Sequence, residues 1–268
     1  MRIGILLFVN TKLVKYLQDL NTRFYQQQGE SFAATRGAPW HGWKRCIEEL
    51  LAAGCFQDAQ PFTVLDVACG NMRFDDFLQQ SLPDTDIRYC GVDNSVEMKS
   101  GRMGQNLDVL EALIQGVPLP TVVDAAPADL TVSFGFMHHI PSQNLRLRLL
   151  EEMLELTKPG GHVIVSFWQF LNSPELADKA ELTHAQALAE LGATPPLCEM
   201  LGGLEAGDYF LGWQGKAGAY RYCHSFSAEE IDQLIDGVAD RAQLATRFDA
   251  DGRTQNLNGY IILKNCAE

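Results

Sequence analysis

Short apolar runs alternate with helical segments along the middle of this chain. The runs cover residues 64–67, 89–93, 130–134 and 162–167; turn residues follow the first three, and the turn at residues 158–161 precedes the last. An apolar run of this length between turns is typical of a strand that is buried on both faces of a parallel sheet. A helix is predicted from about Asn144 to Thr157. The alternation predicts an α/β fold built on a doubly wound sheet.

The flanking segments complete the predicted architecture. Residues 1–58 are predicted to form a mostly helical N-terminal cap, and residues 59–268 a single α/β domain. Between about residues 169 and 218 the alternation stops, and glycine-rich turns surround aromatic residues, which predicts an insertion or lid after the fifth strand. Ser227 followed by Glu230 indicates a capping box and a helix to about Val238. Strands near residues 244–248 and 260–264 would complete a seven-stranded sheet.

The ends of the first two strands suggest a nucleotide-type site. Asp66 leads into a turn of small residues at 68–71, and in doubly wound sheets such a turn brings backbone N–H groups close to the ligand. Asp93 ends the next strand 27 residues later, near the spacing at which a carboxylate binds ribose hydroxyls. Positions 68, 70 and 73 hold Ala, Gly and Arg, so the Gly-x-Gly-x-x-Gly sequence of hydride-transferring dehydrogenases is absent.

This order of elements resembles that of the class I methyltransferases that use S-adenosylmethionine. Five further motifs occur in the order found in one subgroup: Phe24-Tyr25 with residues 32–36 and Pro39-Trp40; residues 137–142; residues 166–170; Gly207-Asp208-Tyr209 with Trp213; and residues 221–226. They resemble the methyltransferases that esterify the carboxymethyl group on the wobble uridine of tRNA, and their bacterial relatives. The resemblance runs from about residue 22 to the C-terminus and implies a Rossmann-like methyltransferase fold.

The resemblance also implies a cofactor, S-adenosylmethionine, and the residues that bind it: Asp66, Ala68, Gly70, Asn71, Asp93 and Asp108. Asp66 would orient the loop and meet the ammonium end of the cofactor, and Asp93 would accept hydrogen bonds from the ribose. Asp108 would bind the adenine amino group, or would be a surface acid on a helix. The family usually has Gly where this chain has Ala68 and Met72. The long Met72 side chain is therefore expected beside the amino-acid end of the cofactor.

The same resemblance suggests residues for the methyl acceptor. A substrate carboxylate needs a cationic or hydrogen-bonding cradle, and the family motifs supply five candidate catalytic residues: Arg36, His139, Arg221, Tyr222 and His224. Alternation along a strand places Arg221 and Tyr222 on opposite faces, so one face of residues 221–224 is expected to be structural. For the pair His138-His139, capping of the next turn and packing under the sheet are the structural alternatives to catalysis.

Charge bears on the substrate class. The chain has 21 basic and 34 acidic residues, and a net charge of −13 repels a phosphate backbone unless positive charge is concentrated somewhere. Residues 1–45 carry seven bases and two acids, which makes them the candidate basic patch for RNA, with a solvated helix face as the alternative. In eukaryotic relatives a small zinc-ribbon protein accompanies the catalytic subunit, so the resemblance implies such a partner as well as tRNA.

Cysteine usage and the N-terminus suggest a location. Seven cysteines occur without a Cys-x-x-Cys pair or a histidine at metal spacing, so reduced thiols in a cytoplasmic protein are expected and no metal site is predicted. The apolar run at residues 3–9 is too short to span a bilayer, so no membrane association is expected, and this run is predicted to pack as an N-terminal element.

Three functions remain after these considerations. The first is a methyltransferase that forms a methyl ester on a carboxymethyl-type wobble uridine of tRNA. The second is a methyltransferase for a small acidic or phenolic metabolite, which needs no phosphate-binding face. The third is a non-catalytic partner that retains the fold, and only Ala68 and Met72 support it.

Overall fold

A computed structural model describes residues 11–35, 37–57, 61–94, 103–192 and 197–267. Nine strands occur in this part of the chain: β1 (Phe62–Val67), β2 (Ile87–Asp93), β3 (Met103–Asn106), β4 (Ala128–Ser133), β5 (Thr157–Trp168), β6 (Asp208–Gly212), β7 (Tyr220–His224), β8 (Ala242–Ala250) and β9 (Asn258–Asn265). Seven of them form one sheet in the order β3-β2-β1-β4-β5-β9-β8. The strands β1 to β5 are parallel, and β9 runs antiparallel to both of its neighbours. The predicted seven-stranded, doubly wound α/β sheet is confirmed.

Helices cover both faces of the sheet. The same part of the chain contains α1 (Thr11–Ala33), α2 (His41–Ala52), α3 (Arg73–Ser81), α4 (Val109–Gln115), α5 (Gln143–Glu155), α6 (Pro174–Leu191), α7 (Leu197–Leu201) and α8 (Ala228–Gly237). One core cluster joins Leu65 and Val67 of β1 to α4, α5 and α8, whereas Val64 belongs to a second cluster with α2 and α3. Successive strand residues point to opposite faces, so the two clusters lie on opposite sides of the sheet.

Local sequence explains where several helices begin and end. Ser227 accepts a hydrogen bond from the N–H of Glu230, and the Glu230 carboxylate accepts one from the N–H of Ser227, so the predicted capping box at α8 is confirmed. Asp108 caps α4 in a similar way by accepting from the N–H of Glu111. Gly116 ends that helix with a φ of 74°, a backbone conformation that glycine adopts without steric cost.

The segment between residues 169 and 218, predicted as an insertion after the fifth strand, has regular structure of its own. It contains the 18-residue helix α6, the short helix α7 and strand β6, which pairs antiparallel with β7 in a separate hairpin. The buried face of α6 includes Ala180 and Ala187, and small residues at this spacing let the helix lie close to β6. Of the glycines at positions 202–218 that suggested a lid, Gly212 ends β6 and the others fall in the connections on either side of it.

Membrane association was not expected from the sequence. Within the described ranges, no helix has both the length and the apolar character that crossing a bilayer requires. The apolar run at residues 3–9 lies outside the described residues.

Candidate active site

A cavity of about 710 Å³ lies where the carboxyl ends of β1, β2 and β4 meet helix α1. Its walls come from the turn at residues 68–71, from Asp93 at the end of β2, from residues 134–136 after β4, and from one side of α1. In open α/β sheets the strand order reverses beside such a cavity, and ligands bind there. The size suits a small-molecule ligand with room for a second group.

The turn after β1 is built from left-handed backbone. Ala68, Gly70 and Met72 have φ values of 61°, 53° and 58°. Strand β2 holds the turn, because the N–H groups of Ala68 and Cys69 both donate to the Val92 carbonyl, at 2.7 and 3.1 Å. A Cβ added to Gly70 would meet no atom within 4 Å. The backbone at this position therefore faces open space in the cavity.

Met72 does not occupy the cavity, so the expectation that its side chain lies beside the cofactor is wrong. Its side chain is 1% exposed and belongs to the core cluster beneath the sheet. A Cβ added to Gly91 of β2 would lie 3.0 Å from the Met72 Cε and 2.6 Å from the Cys69 Sγ. Glycine at position 91 thus provides the space for both side chains, and the cavity side of the turn stays open.

Two acids end the strands below this turn. The Asp93 Oδ2 accepts a hydrogen bond from the Gly70 N–H at 2.9 Å, which ties the end of β2 to the turn. Asp66 is 3% exposed and accepts a hydrogen bond from the Tyr89 hydroxyl. Burial raises the pKa of Asp66 to about 8, and nearby Asp93 adds to the rise, although the Tyr89 hydrogen bond opposes it. The Asp66 carboxyl is therefore mostly protonated at neutral pH.

Asp108 serves two functions at the opposite wall. One of its oxygens caps α4, and the other accepts from Gln18 Nε2 at 3.3 Å and from Asn94 Nδ2 at 3.4 Å. It also lines the cavity, as do Ala68 and Asn71. The predicted cofactor-binding residues therefore all lie around one cavity, while the role of each stays a prediction.

A polar group from α1 and from the segment after β4 forms the other end of the cavity. His139 places its Nε2 2.8 Å from the Tyr25 hydroxyl and its Nδ1 3.2 Å from the Asn21 Nδ2. Asn21, Tyr25 and His139 all line the cavity. Sequence motifs included Tyr25 without giving it a role, and they did not single out Asn21. The spacing of Gln18, Asn21 and Tyr25 along α1 puts three polar residues on one helix face. That pattern could have identified Asn21 and Tyr25 as candidate site residues.

Arg221 lies behind this group, outside the lining of the cavity. The guanidinium carbon is 5.2 Å from the ring centre of Phe24, 5.7 Å from that of Trp213 and 5.8 Å from that of Trp168. The residue is 7% exposed. Cys223, two residues along β7, places its Sγ 3.9 Å from the His139 Nδ1. This face of β7 therefore lies behind the end of the cavity that His139 lines. Arg36 lies outside the described residues.

Tyr222 and His224, on the other face of β7, do not reach the cavity. The Tyr222 hydroxyl donates to Asp208 at 2.7 Å, and Arg146 donates to the same hydroxyl at 3.1 Å. His224 lies between Asp208 and Glu230, at 2.7 and 3.0 Å. All of these groups except Glu230 are buried. Tyr222 and His224 were predicted to be catalytic, and their placement corrects that prediction. Alternation along β7 points both side chains away from the cavity, into a buried hydrogen-bond network that supports the hairpin.

Two groups of side chains bring metal-type ligand atoms within 4.8 Å of one another: His138, His139 and Cys223; and Glu205, Asp208 and His224. In the second group Arg146 already supplies a positive charge, at 2.7 Å from Glu205 and 3.5 Å from Asp208. In the first, an Asn21 N–H faces the His139 Nδ1. Protein contacts therefore already engage some of the ligand atoms in both groups.

Positive charge is scarce around the cavity. Among the residues that the structure describes, Arg73 is the single Lys or Arg side chain in the lining. It donates to the Ala38 carbonyl at 2.5 Å and lies 5.3 Å from the centre of the Trp43 ring. Burial lowers the pKa of Arg73 from its usual value, but an arginine of this kind remains charged.

The expected basic patch on the N-terminal helices is largely balanced. Residues 11–57 contain six bases and four acids, because Glu48 and Glu49 follow directly after the segment that was counted as basic. Lys44 and Arg45 lie 3.8 and 4.0 Å from these two acids. Lys15 likewise lies 3.0 Å from Glu111. The surface of α1 and α2 thus offers little concentrated positive charge.

Comparisons with known proteins agree with this architecture. The methyltransferase domain family matches residues 34–238. A protein of Encephalitozoon cuniculi that is named as a methyltransferase is 27% identical over 213 residues, which are 79% of this chain and 82% of the relative. A tRNA (carboxymethyluridine(34)-5-O)-methyltransferase of Arabidopsis thaliana is 25% identical over 146 residues, 54% of this chain, and the match spans only 32% of that relative.

The fold is also found among solved structures. An S-adenosylmethionine-dependent methyltransferase from Clostridium acetobutylicum superposes with a TM-score of 0.53 at 12% identity, over 92% of this chain and 99% of that one. At this identity the likeness concerns the fold.

Proposed function

Because the chain belongs to the methyltransferase domain family and uses S-adenosylmethionine as its cofactor, we propose that it transfers the methyl group to a carboxylate. The proposed acceptor is a carboxymethyl group on the wobble uridine of tRNA, and the product is its methyl ester. A curated relative with that printed activity supports the acceptor, although the match spans about a third of the relative's length.

The cavity has the groups that S-adenosylmethionine requires. The open space at Gly70 lets the ligand lie directly against backbone, and Asp93 beside it would accept hydrogen bonds from the ribose hydroxyls. Arg73 would attract the cofactor's carboxylate, and Asp66 would accept from its ammonium group. Leu107 and its neighbours on α4 supply an apolar wall for the adenine ring. When bound, the cofactor supplies an electrophilic methyl group on a sulfonium.

Methyl transfer to a carboxylate needs alignment more than acid–base catalysis. A carboxylate oxygen held in line with that methyl group would take it, and the electron pair of the broken carbon–sulfur bond would stay on sulfur. No proton has to move, because the nucleophile is already ionised. The protein therefore has to hold the carboxylate against the methyl group and keep water away. A strong ionic clamp on the nucleophile would lower its reactivity.

The observation that carries the proposal is the chemistry of the end of the cavity opposite the turn at residues 68–71, where the methyl acceptor would bind. Among the residues that the structure describes, it offers hydrogen-bonding side chains, from Tyr25, His139 and Asn21, and no Lys or Arg in direct contact. Such side chains can hold a carboxylate without the charge compensation of an ion pair. This arrangement suits a carboxylate nucleophile.

A small acidic metabolite is the second candidate acceptor. The observation in its favour is the charge balance of α1 and α2, together with a net charge of −13 for the whole chain. A small molecule has no phosphate backbone for this surface to repel. The zinc-ribbon partner implied by the resemblance would matter here, because a basic partner could supply a face that attracts the RNA backbone.

The non-catalytic alternative loses its support. It depended on Met72 obstructing the cofactor loop, and the Met72 side chain packs in the core instead. Ala68 lines the cavity with a single methyl group.

The test uses methyl-labelled S-adenosylmethionine and extract from a strain that lacks this protein. Label that is ribonuclease-sensitive and released by mild alkali would support a methyl ester on RNA. Alkali-labile label confined to small molecules would favour the metabolite. Alkali-stable label in any fraction would contradict methyl-ester formation. Adding a zinc-ribbon partner in a parallel reaction tests whether RNA labelling depends on it.

A further inference from the structure

One wall of the cavity is aromatic, and Trp40 is a partly exposed member of it. Trp40 directly precedes α2, and its side chain lines the cavity. The Trp40 ring stacks on the Trp43 ring, with 5.2 Å between the ring centres and 29° between the planes. Trp43 is itself only 4% exposed and covers one face of Trp40. Because Trp40 stays partly exposed where it lines the cavity, its remaining ring surface is available to a ligand there.

The position of Trp40 is fixed by the packing of α2. Three phenylalanine rings surround Trp43, with ring centres 5.4, 5.8 and 5.7 Å away. The N–H of Gly42, in the first turn of α2, donates to the Asp251 carboxylate at 3.1 Å. A Cβ added to Gly42 would lie 2.1 Å from the Tyr260 ring, so α2 packs directly against β9 at this point. Trp40 is thus a preorganised surface, and a ligand that stacks on it has little ordering to offset.

Contact with the segment after β4 places Trp40 near the end of the cavity where the acceptor would bind. A Cβ added to Gly135 would lie 3.0 Å from the Trp40 Cη2. Gly135 lines the cavity, and so does His139, four residues further along the chain. The cofactor contacts proposed above involve the turn at residues 68–71, Asp93 and the start of α4, and none of them uses Trp40. The exposed part of its ring is therefore left for the acceptor.

An indole surface favours flat, unsaturated rings. Such rings stack on tryptophan, and every nucleic-acid base has a face of this kind. Bases in RNA loops can turn out of their stack and lie against an aromatic side chain. A carboxymethyluracil joins a flat ring to a carboxylate through one carbon, so a contact that fixes the ring also limits where the carboxylate lies.

We propose that Trp40 is a specificity-determining residue whose ring stacks on the flat ring that carries the acceptor carboxylate. In the proposed function, on which this inference rests, that ring is the wobble uracil. Stacking would hold the ring at the wall of the cavity and direct its carboxymethyl group toward the methyl group of the cofactor. A small acid with an unsaturated ring has the same chemistry, so the experiment includes both sources.

The test combines a change in the protein with a change in the acceptor ring. The acceptors are an anticodon stem-loop RNA with 5-carboxymethyluridine at the wobble position and the same RNA with the 5,6-dihydro form of that nucleoside. Saturation removes the flat π-system and keeps the carboxymethyl group. The unaltered protein should have a kcat/KM about 10- to 100-fold higher for the flat ring. Trp40→Leu should lose this preference, whereas Trp40→Phe, which keeps a flat ring, should retain most of it.

Two controls separate stacking from a general effect on the fold. The affinity of Trp40→Leu for S-adenosylmethionine, measured by calorimetry, should equal that of the unaltered protein. Phe56→Leu is the matched variant, because Phe56 is also a partly exposed aromatic residue, just beyond the other end of α2. It packs against Phe62 with ring centres 4.6 Å apart, and it lies outside the cavity lining. Its preference for the flat ring should match that of the unaltered protein.

Three results would overturn the inference. The first is an unaltered protein that does not distinguish the flat from the saturated ring. The second is an unchanged preference in Trp40→Leu, including the case in which kcat/KM falls equally for both rings. The third is a loss of S-adenosylmethionine affinity in Trp40→Leu as large as the loss of kcat/KM, which would assign the ring to the cofactor.

The inference and the proposed function fail in different ways. Methylation of the RNA with an unchanged preference in Trp40→Leu would refute the inference and leave the proposed function intact. If only small acids are methylated, phenylacetate and cyclohexylacetate replace the two RNAs. A preference for phenylacetate that Trp40→Leu abolishes would then support the inference and refute the RNA acceptor. Absence of any methyl ester would refute the proposed function, and the inference with it.

Discussion

Replacing Asp66 by Asn removes a buried carboxyl group whose pKa folding raises from 3.8 to about 8. The two side chains have the same shape, so the Tyr89 hydroxyl can still donate to the amide oxygen. The substitution mimics the protonated carboxyl that the folded protein holds at neutral pH. It therefore isolates the free energy of keeping Asp66 uncharged, with little change in packing.

The sign and size of the effect follow from the two pKa values. Between pH 3.8 and pH 8 the unfolded chain has an ionised Asp66 and the folded protein a protonated one, so the folded state binds more protons. The contribution of Asp66 to the free energy of unfolding is complete below pH 3.8 and is lost as pH rises toward 8. Each pH unit within this window is worth about 1.4 kcal/mol. From about pH 5 to pH 8 the loss amounts to about 3–4 kcal/mol.

The assay is urea denaturation of the cofactor-free protein, followed by tryptophan fluorescence at pH 5, 6, 7 and 8. Other carboxyl groups contribute the same pH dependence to both proteins, so the difference between wild type and Asp66→Asn isolates this group. That difference should shift by about 3–4 kcal/mol in favour of the variant across the range. Asp84→Asn, at an exposed position, should show a constant difference. A constant difference for Asp66→Asn as well would refute the assignment of a protonated Asp66.

Three further predictions concern the cavity and the network behind it. Asp93→Ala should weaken binding of S-adenosylmethionine by about 10- to 100-fold in calorimetry. Arg221→Ala, outside the cavity lining, should leave that affinity unchanged and lower turnover. Equal losses of cofactor affinity in the two variants would show that the acceptor side is misplaced. Gly70→Ala should lower the free energy of unfolding by about 1–2 kcal/mol, because φ is positive at this position. Ala68→Gly should raise that free energy by about 1 kcal/mol for the same reason. Urea denaturation that finds Gly70→Ala more stable than Ala68→Gly would contradict the left-handed turn. Arg146→Met should cost about 3–5 kcal/mol in the same measurement, because it leaves the buried Asp208 carboxylate without its arginine partner, and a cost below about 1 kcal/mol would argue against that network.

Sequence patterns were sufficient for the sheet and for placing Asp66 and Asp93 beside one cavity. Buried parallel strands are continuous apolar runs, and a strand's end is marked by the first polar residue and turn, so the amino-acid sequence alone places Asp66 and Asp93 at strand ends. The capping box at Ser227 was equally local, because its two hydrogen bonds join residues three apart.

The parts that could not be predicted depend on contacts between distant segments. Met72 turns into the core because Gly91, on another strand, leaves space for it. The orientation of Tyr222 depends on Arg146, which is 76 residues away in sequence. The pairing of Asn21 with β7 spans 201 residues. The periodicity of a single segment carries no information about such partners, so alternation along β7 gave two opposite faces without identifying the structural one.

The turn at residues 68–72 has left-handed backbone at two positions that lack glycine, and the N–H groups that hold it donate to a carbonyl of β2. Its shape is thus imposed by the neighbouring strand more than by its own sequence. During folding such a turn cannot form before β1 and β2 pair, so its contacts should be largely absent from the folding transition state. Mutations in the turn should then mainly accelerate unfolding and leave the folding rate nearly unchanged. This wall of the cavity would be among the last parts of the protein to assemble.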